Sequence, residues 1–180
     1  MRSAATESSE PGSEDLPASA PALVHETERL RREIERLQIA ASQDRGILDA
    51  ILRHSPHGII VCDATGKLIL QNPAAERIWA GSATAGSVAG WGQYRAFHPD
   101  GRPFQPEDWV MARSLAQGEV IEGNEHHIER FDGTRGWLLG SAAPLYGPDG
   151  RQLGAISIFA DISHLKEAEA ALRRSERSEE

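Results

Sequence analysis

The sequence predicts an α+β domain, a largely antiparallel sheet flanked by helices, and three observations carry that expectation. All aromatic side chains (four Trp, two Tyr, four Phe) fall between Trp79 and Phe159, and aromatics supply much of the buried area of a small core. Within that region, short apolar runs alternate with glycine-containing turns, the signature of hairpins. On either side of it the apolar spacing changes to that of helices. Consecutive hairpins with helices packed on one side define the class.

Taken in order, residues 1–22 are rich in Ser, Ala, Glu and Pro without a hydrophobic period, so they are expected to be a disordered tail. Residues 23–46 read as a coiled-coil helix ending in a hinge. Leu23, Leu30 and Leu37 recur every seven residues at d, with Thr27, Ile34 and Ala41 at a, which predicts a homodimer seam. Glu26 at g and Arg31 at the following e have the spacing of an interhelical ion pair. Glu28–Arg32, Arg29–Glu33 and Arg31–Glu35 have i,i+4 spacing, which contributes a few tenths of a kcal/mol each. Asp44 at the next d position and Gly46 beside it weaken a coil, hence the expected hinge. Leu48 and Ile51 then resume the seam on a second short helix to about Arg53.

The compact domain is expected over residues 47–162. Gly58–Asp63 and Lys67–Gln71 form a hairpin across Ala64, Thr65 and Gly66. Asn72 and Pro73 open a short helix to about Trp79, with asparagine as cap and proline at its first position. Ala80–Gly90 is loop. Its Gly81, Gly86 and Ser87 approximate a phosphate-binding loop but lack the lysine and the preceding strand. A single helix is expected from Pro106 to Gly118, with acidic residues in its first turn. Three strands follow, at about 120–131, 136–146 and 151–161, giving five strands in all. Residues 163–180 form a charged output helix.

The last strand is apolar on both alternating sets: Ala155, Ser157 and Phe159 on one side, Ile156, Ile158, Ala160 and Ile162 on the other. Such a strand is expected to be covered twice. The middle helices supply one cover. The Leu48/Ile51 helix, or the same surface of a second subunit, supplies the other.

Composition narrows the function. A formal net charge of −8 opposes nucleic-acid binding, because phosphates would be repelled. No apolar run reaches the ~20 residues of a bilayer span, and no signal-peptide core opens the chain, so the expected location is cytoplasmic without membrane contact. Cys62 stands alone, which excludes an internal disulfide or a cysteine-built zinc site. An enzymatic reading would use His126 and His127 with Glu125 or Glu129. Neighbours on one strand diverge, and no nucleophile or oxyanion signature accompanies them.

Five pieces in this order and spacing resemble a PAS domain, the sensory module of bacterial signalling proteins. They are Ile47-Leu48 with Ile51, the Gly58–Asp63 run, the stretch from Gly66 through Asn72-Pro73 to Ile78, Pro148 to Arg151, and Gly154 followed by Asp161-Ile162-Ser163. The resemblance covers about Ile47 to Leu172 and implies a five-stranded antiparallel PAS sheet with short helices on one face. The last piece looks like the family's Asp-Ile-Thr junction between final strand and output helix, with serine for threonine. Both Asp161 and Ser163 are helix-capping residues.

The family often holds a small ligand between its middle helices and inner sheet face. By analogy the pocket candidates here are Trp109, Leu115, Ser157 and Phe159; the competing reading is that they fill the core with no cofactor. A flavin-adduct photoreceptor of the LOV subgroup would need an Asn-Cys-Arg-Phe-Leu-Gln run, absent here, and Phe159 stands where that subgroup's flavin-contacting Gln would be. Haem would need an axial ligand, for which His98, His126 and His127 are the candidates; at most one of the adjacent pair faces inward. Relatives are sensor segments of histidine kinases or diguanylate cyclases. This chain has no His-Glu-Leu-Arg-like phosphoacceptor box with an ATP-binding domain and no Gly-Gly-Asp-Glu-Phe run. It is therefore expected to be a dimeric input module rather than an enzyme, with an adaptor pairing to other signalling proteins as the alternative.

Overall fold

The computed structural model describes the backbone of residues 20–178 and the side chains of residues 25–177. Most of the expected tail, and the side chain of Leu23, lie outside them. The chain divides into two compact units, one ending at Ile47 and the next beginning at Leu48. The first helix, α1 (Ala20–His54), begins earlier than expected and passes through Asp44, Arg45 and Gly46 as one element. The hinge is thus corrected. An interior glycine costs a helix only about 1 kcal/mol relative to alanine, and neither it nor an aspartate removes a backbone donor as proline would.

Along α1, Leu30, Ile34 and Leu37 are exposed, as is Ala41. Glu28 pairs with Arg32 at 3.7 Å, as its spacing predicts. Arg29 turns back to Glu26 at 2.9 Å instead of meeting Glu33.

From Leu48 onward the second unit is built on one antiparallel sheet. Its strands are β1 (Gly58–Asp63), β2 (Leu68–Gln71), β3 (Arg95–Phe97), β4 (Ile121–Glu129), β5 (Arg135–Tyr146) and β6 (Gln152–Asp161), in the order β2-β1-β6-β5-β4-β3. The sheet has six strands rather than five. The addition, β3, is a three-residue edge pairing Ala96 with Ile128, too short to show a period of two. β1 lies beside β6, with Gly58 opposite Phe159. A Cβ at Gly58 would overlap the Phe159 ring, so glycine is required there for the two strands to keep their register.

One face carries the helices. Asn72 caps α2 (Pro73–Trp79), and its Oδ1 accepts from the Ala75 amide at 2.9 Å. The helix expected from Pro106 is split: a single 3₁₀ turn, Pro106–Asp108, precedes α3 (Val110–Gln117). Between them Trp109 is extended, with ψ 134°. Asp108 Oδ2 accepts from the Gln105 amide at 2.7 Å, closing the first turn on itself, and Trp109 turns its indole toward the sheet. Gly118 ends α3 in the left-handed region at φ 69°, as its sequence position predicts. The last helix, α4, is Ser163–Ser178.

The core lies between these helices and the inner sheet face, with Cys62, Ile128, Leu138, Ala155 and Phe159 buried. On the opposite face Ile158 is 43% exposed. Leu48 and Ile51 are themselves 55% and 57% exposed, so they do not seal that face within one chain.

Candidate functional site

Two features of the second unit bear on function: a cavity in the core and the junction where β6 becomes α4. The cavity has a volume of about 50 Å³. Its floor is inner-face residues of the sheet, including Leu138, Ser157 and Phe159; its roof is Trp79, Trp109 and Met111. Of the expected pocket residues, Trp109, Ser157 and Phe159 line it. Leu115 does not: it packs on the rim of the core, where its carbonyl accepts from Gln152 Nε2 at 3.1 Å.

The three candidate histidines separate. His98 donates from Nε2 to Asp108 Oδ2 at 3.1 Å and stacks near Phe104. His127 faces the outer side and lies on Trp137, ring centroids 3.5 Å apart. Only His126 faces the cavity, at 5% exposure. Its Nδ1 meets Asn124 Oδ1 at 3.1 Å. Burial pushes its pKa down to about 4, so the ring is neutral near pH 7 and offers Nε2 as a lone pair. Haem does not fit these residues: a cavity of about 50 Å³ is far below the ~300–1,000 Å³ that ligands of drug size or more occupy.

At the junction, Asp161 and Ser163 act together rather than as two separate caps. Asp161 Oδ1 accepts from the Ser163 amide at 2.9 Å and from its hydroxyl at 2.5 Å. Ser163 Oγ in turn accepts from the Trp137 amide at 2.9 Å. Arg130 completes the group. Its Nη2 donates to Asp161 Oδ2 at 2.7 Å and to Ser163 Oγ at 3.3 Å. Its Nη1 reaches Arg135 O at 2.8 Å and Thr134 Oγ1 at 3.2 Å. Its Nε donates to Ile78 O, near the end of α2, at 2.8 Å. Partial burial opposes the Asp161 charge, but the Ser163 and Arg130 bonds outweigh it and hold the carboxyl below its ordinary pKa.

Lys166 adds a second tie. On the first turn of α4, it pairs with Glu125 of β4 at 2.6 Å and lies over the Trp137 ring at 5.3 Å.

Sequence reasoning found Asp161 and Ser163 but missed Arg130. The available signal was its place two residues before the Asp132-Gly133 turn, which aims it across the β4–β5 hairpin. Gly136 is part of the same fit, because a Cβ there would overlap the Arg130 guanidinium and crowd Ser163 Oγ. Gly136→Ala is therefore expected to loosen the start of α4. Hydrogen exchange should show faster exchange at the first-turn amides of α4, with β1–β2 unchanged.

An antiparallel sheet in this order, helices on its inner face, and an acid–hydroxyl junction leading into a terminal helix define a PAS-type sensory domain. The chain belongs to that family: the model of the PAS fold matches residues 52–167. Among curated proteins the chain is similar to the signal transduction histidine-protein kinase AtoS of Escherichia coli (strain K12). The two are 23% identical over 172 residues, covering 91% of this chain and 26% of that kinase. The chain thus spans about a quarter of its curated relative.

Among solved structures, the chain is similar to an RNA-binding light-oxygen-voltage receptor, with TM-score 0.56, 20% identity, and coverage of 77% of this chain and 39% of that one. The PAS domain of an HTR-like protein from Haloarcula marismortui follows at TM-score 0.50 and 21% identity, covering 73% and 99%. The PAS domain of the fruit-fly ELK potassium channel gives TM-score 0.51 and 12% identity, covering 66% and 97%. At these identities the likeness speaks for the fold. No helix among the described residues is long and apolar enough to cross a membrane.

Proposed function

We propose that this chain is the sensory input segment of a cytoplasmic signalling protein, reading the state of its core cavity and relaying it through Asp161–Ser163 into α4. The observation that carries this is the reach of Arg130. Trp79, in the cavity wall, follows Ile78, whose carbonyl Arg130 holds; the Phe131 amide donates to Trp79 O at 3.0 Å. The same guanidinium holds Asp161 and Ser163 at the start of α4. Movement of α2 around an altered cavity therefore bears directly on the capping of α4. One cap contributes about 1 kcal/mol, enough to tilt a balanced two-state equilibrium several-fold. Similarity to a histidine kinase supports kinase control as the output.

The relay is tested in a chimera that places this chain ahead of a histidine-kinase catalytic region. Arg130→Met is expected to change autophosphorylation several-fold, while the surface control Asp149→Ala leaves it unchanged. Equal activity in both variants overturns the relay.

Dimerisation through α1 and the outer sheet face belongs to the same proposal. Support comes from the exposed Leu30, Ile34, Leu37, Leu48 and Ile51 on α1 and from Ile158 on the sheet. Leu23 and Ala41 extend the heptad, and each Leu or Ile fully buried contributes about 1.5–3 kcal/mol. Sedimentation should give a dimer, and Leu30→Asp with Leu37→Asp should give a monomer. A wild-type monomer that pairs only with another signalling protein would favour an adaptor role instead.

A further inference from the structure

On the outer face of the sheet, the start of α4 rests on Trp137. The Trp137 amide donates to Ser163 Oγ at 2.9 Å, and its carbonyl accepts from the Ile162 amide at 2.9 Å. Its ring carries Lys166 Nζ at 5.3 Å. Trp137 is thus the seat of the first turn of α4. His127, its cross-strand partner on β4, lies on the same ring with centroids 3.5 Å apart. Phe97 of β3 is the partner of His127 on the other side, and Arg135 stands over the Phe97 ring at 5.9 Å.

Both carboxylates beside His127 are already committed. Glu125 and Glu129 lie two residues to either side of it on β4, so the three share a face. Glu129 is held by Arg95 of β3. Glu125 pairs with Lys166 at 2.6 Å, and Lys166 also meets Glu169 of α4 at 3.7 Å. A proton on His127 therefore finds two cations, Arg135 and Lys166, and, among the described neighbours, no carboxylate without a partner. The Glu125 side chain is 43% exposed against 20% for Glu129, so Glu125 is the one with room to turn.

We propose that protonation of His127 draws Glu125 away from Lys166 and unseats the first turn of α4, which makes the junction acid-sensitive. Two effects act in the same direction. The imidazolium competes with the Lys166 ammonium for one carboxylate, and two cations on one indole repel each other. The neutral ring prevails near pH 7, because burial and the Arg135 guanidinium hold the His127 pKa below its ordinary value of 6.5. A depressed histidine pKa sets the sign: the seated state is favoured above about pH 6.5 and loses ground as pH falls. His126, with a pKa of about 4, stays neutral through that window, and the Asp161 clasp yields only at still lower pH. The unseating itself does not depend on the sensory reading above; its effect on an output does.

The test follows the wild-type chain by ¹H–¹⁵N spectra and hydrogen exchange from about pH 7.5 to about pH 5. The His127 ring, the Trp137 amide and the Lys166 amide, which donates to Ile162 O at 3.0 Å, are expected to shift with one common midpoint. Protection of the Lys166 amide, corrected for intrinsic exchange, should fall about threefold below that midpoint, the size of one exposed ion pair. His127→Phe keeps the stack and should abolish the step, leaving protection at its high-pH level. Competition for Glu125 sets two further signs. Lys166→Met frees Glu125 and should raise the His127 midpoint; Glu125→Gln removes the carboxylate and should lower it. His164, on the same turn and fully exposed, is the control, and His164→Gln should leave the step intact. A His127 midpoint that either partner variant leaves unmoved, a Lys166 amide that ignores the His127 titration, a step that survives His127→Phe, or one that disappears in His164→Gln would each overturn the proposal. In the kinase chimera, the activity ratio of wild type to His127→Phe should change several-fold over the same pH range. If the spectra show the step and that ratio stays flat, the proton switch stands and the relay reading fails.

Discussion

Asn72→Ala is expected to lower stability by about 3–4 kcal/mol, the largest effect of any single polar substitution in this domain. Asn72 is buried, and its side chain makes four hydrogen bonds. Oδ1 accepts from the Ile59 amide at 2.8 Å and the Ala75 amide at 2.9 Å. Nδ2 donates to His57 O at 3.0 Å and to Leu52 O at 3.1 Å. One residue therefore joins the first strand, the cap of α2 and the last turn of α1. Truncation removes a cap of about 1 kcal/mol and strands further backbone groups, each costing about 1–3 kcal/mol if no water replaces the lost partner. Asn72→Asp keeps the acceptor but loses the donors and sets a carboxylate against two carbonyls, so it should not rescue. Urea unfolding measures both variants. A loss below about 1 kcal/mol for Asn72→Ala would show that water substitutes for the side chain.

Arg130→Met should cost about 2–3 kcal/mol and, unlike Asn72→Ala, should act locally first. It removes five donor contacts reaching the end of α2, the β4–β5 turn and the junction. The Asp161 carboxylate is left with Ser163 alone, and breaking a partly buried ion pair from one side strands the other charge. Amides in the first turn of α4 should exchange faster before global unfolding is affected. Arg130→Lys should recover little, since an ammonium cannot span those directions at once.

Acid should reveal the same clasp. Because the native Asp161 pKa is held down, its contribution is complete above the ordinary carboxylate value of about 3.9 and fades as pH falls through the lower native value. In Arg130→Met the native value lies closer to the ordinary one, so the acid-dependent loss should be smaller and complete at a higher pH. A pH titration of thermal stability that superimposes for wild type and variant would show that Arg130 does not hold the charge.

How far these features were legible in the sequence depends on how local they are. The β1–β2 hairpin, the capped α2 and the final strands announced themselves through alternation and Gly, Asn and Pro signals within a few residues. β3 did not, because three residues show no alternation and its partner Ile128 is distant in sequence. The break at Trp109 was hidden because the acidic turn before it resembles an ordinary helix start; the capping of Gln105 by Asp108 turned that start into a closed unit. Gly46 misled in the other direction, since a glycine weakens a helix without stopping it. At the site, Asp161 and Ser163 were visible as capping residues. Arg130 was not, because its role exists only once a hairpin and a helix end have come together. The adjacent histidines could be told apart as inward and outward in principle, yet only the register of β4 decided that His126 is the inward one.

The strands at the sheet's margins, β2 and β3, are four and three residues long. Margins this brief give an incoming chain almost no ladder to extend. Edges this short guard the domain against stacking margin to margin into fibrils.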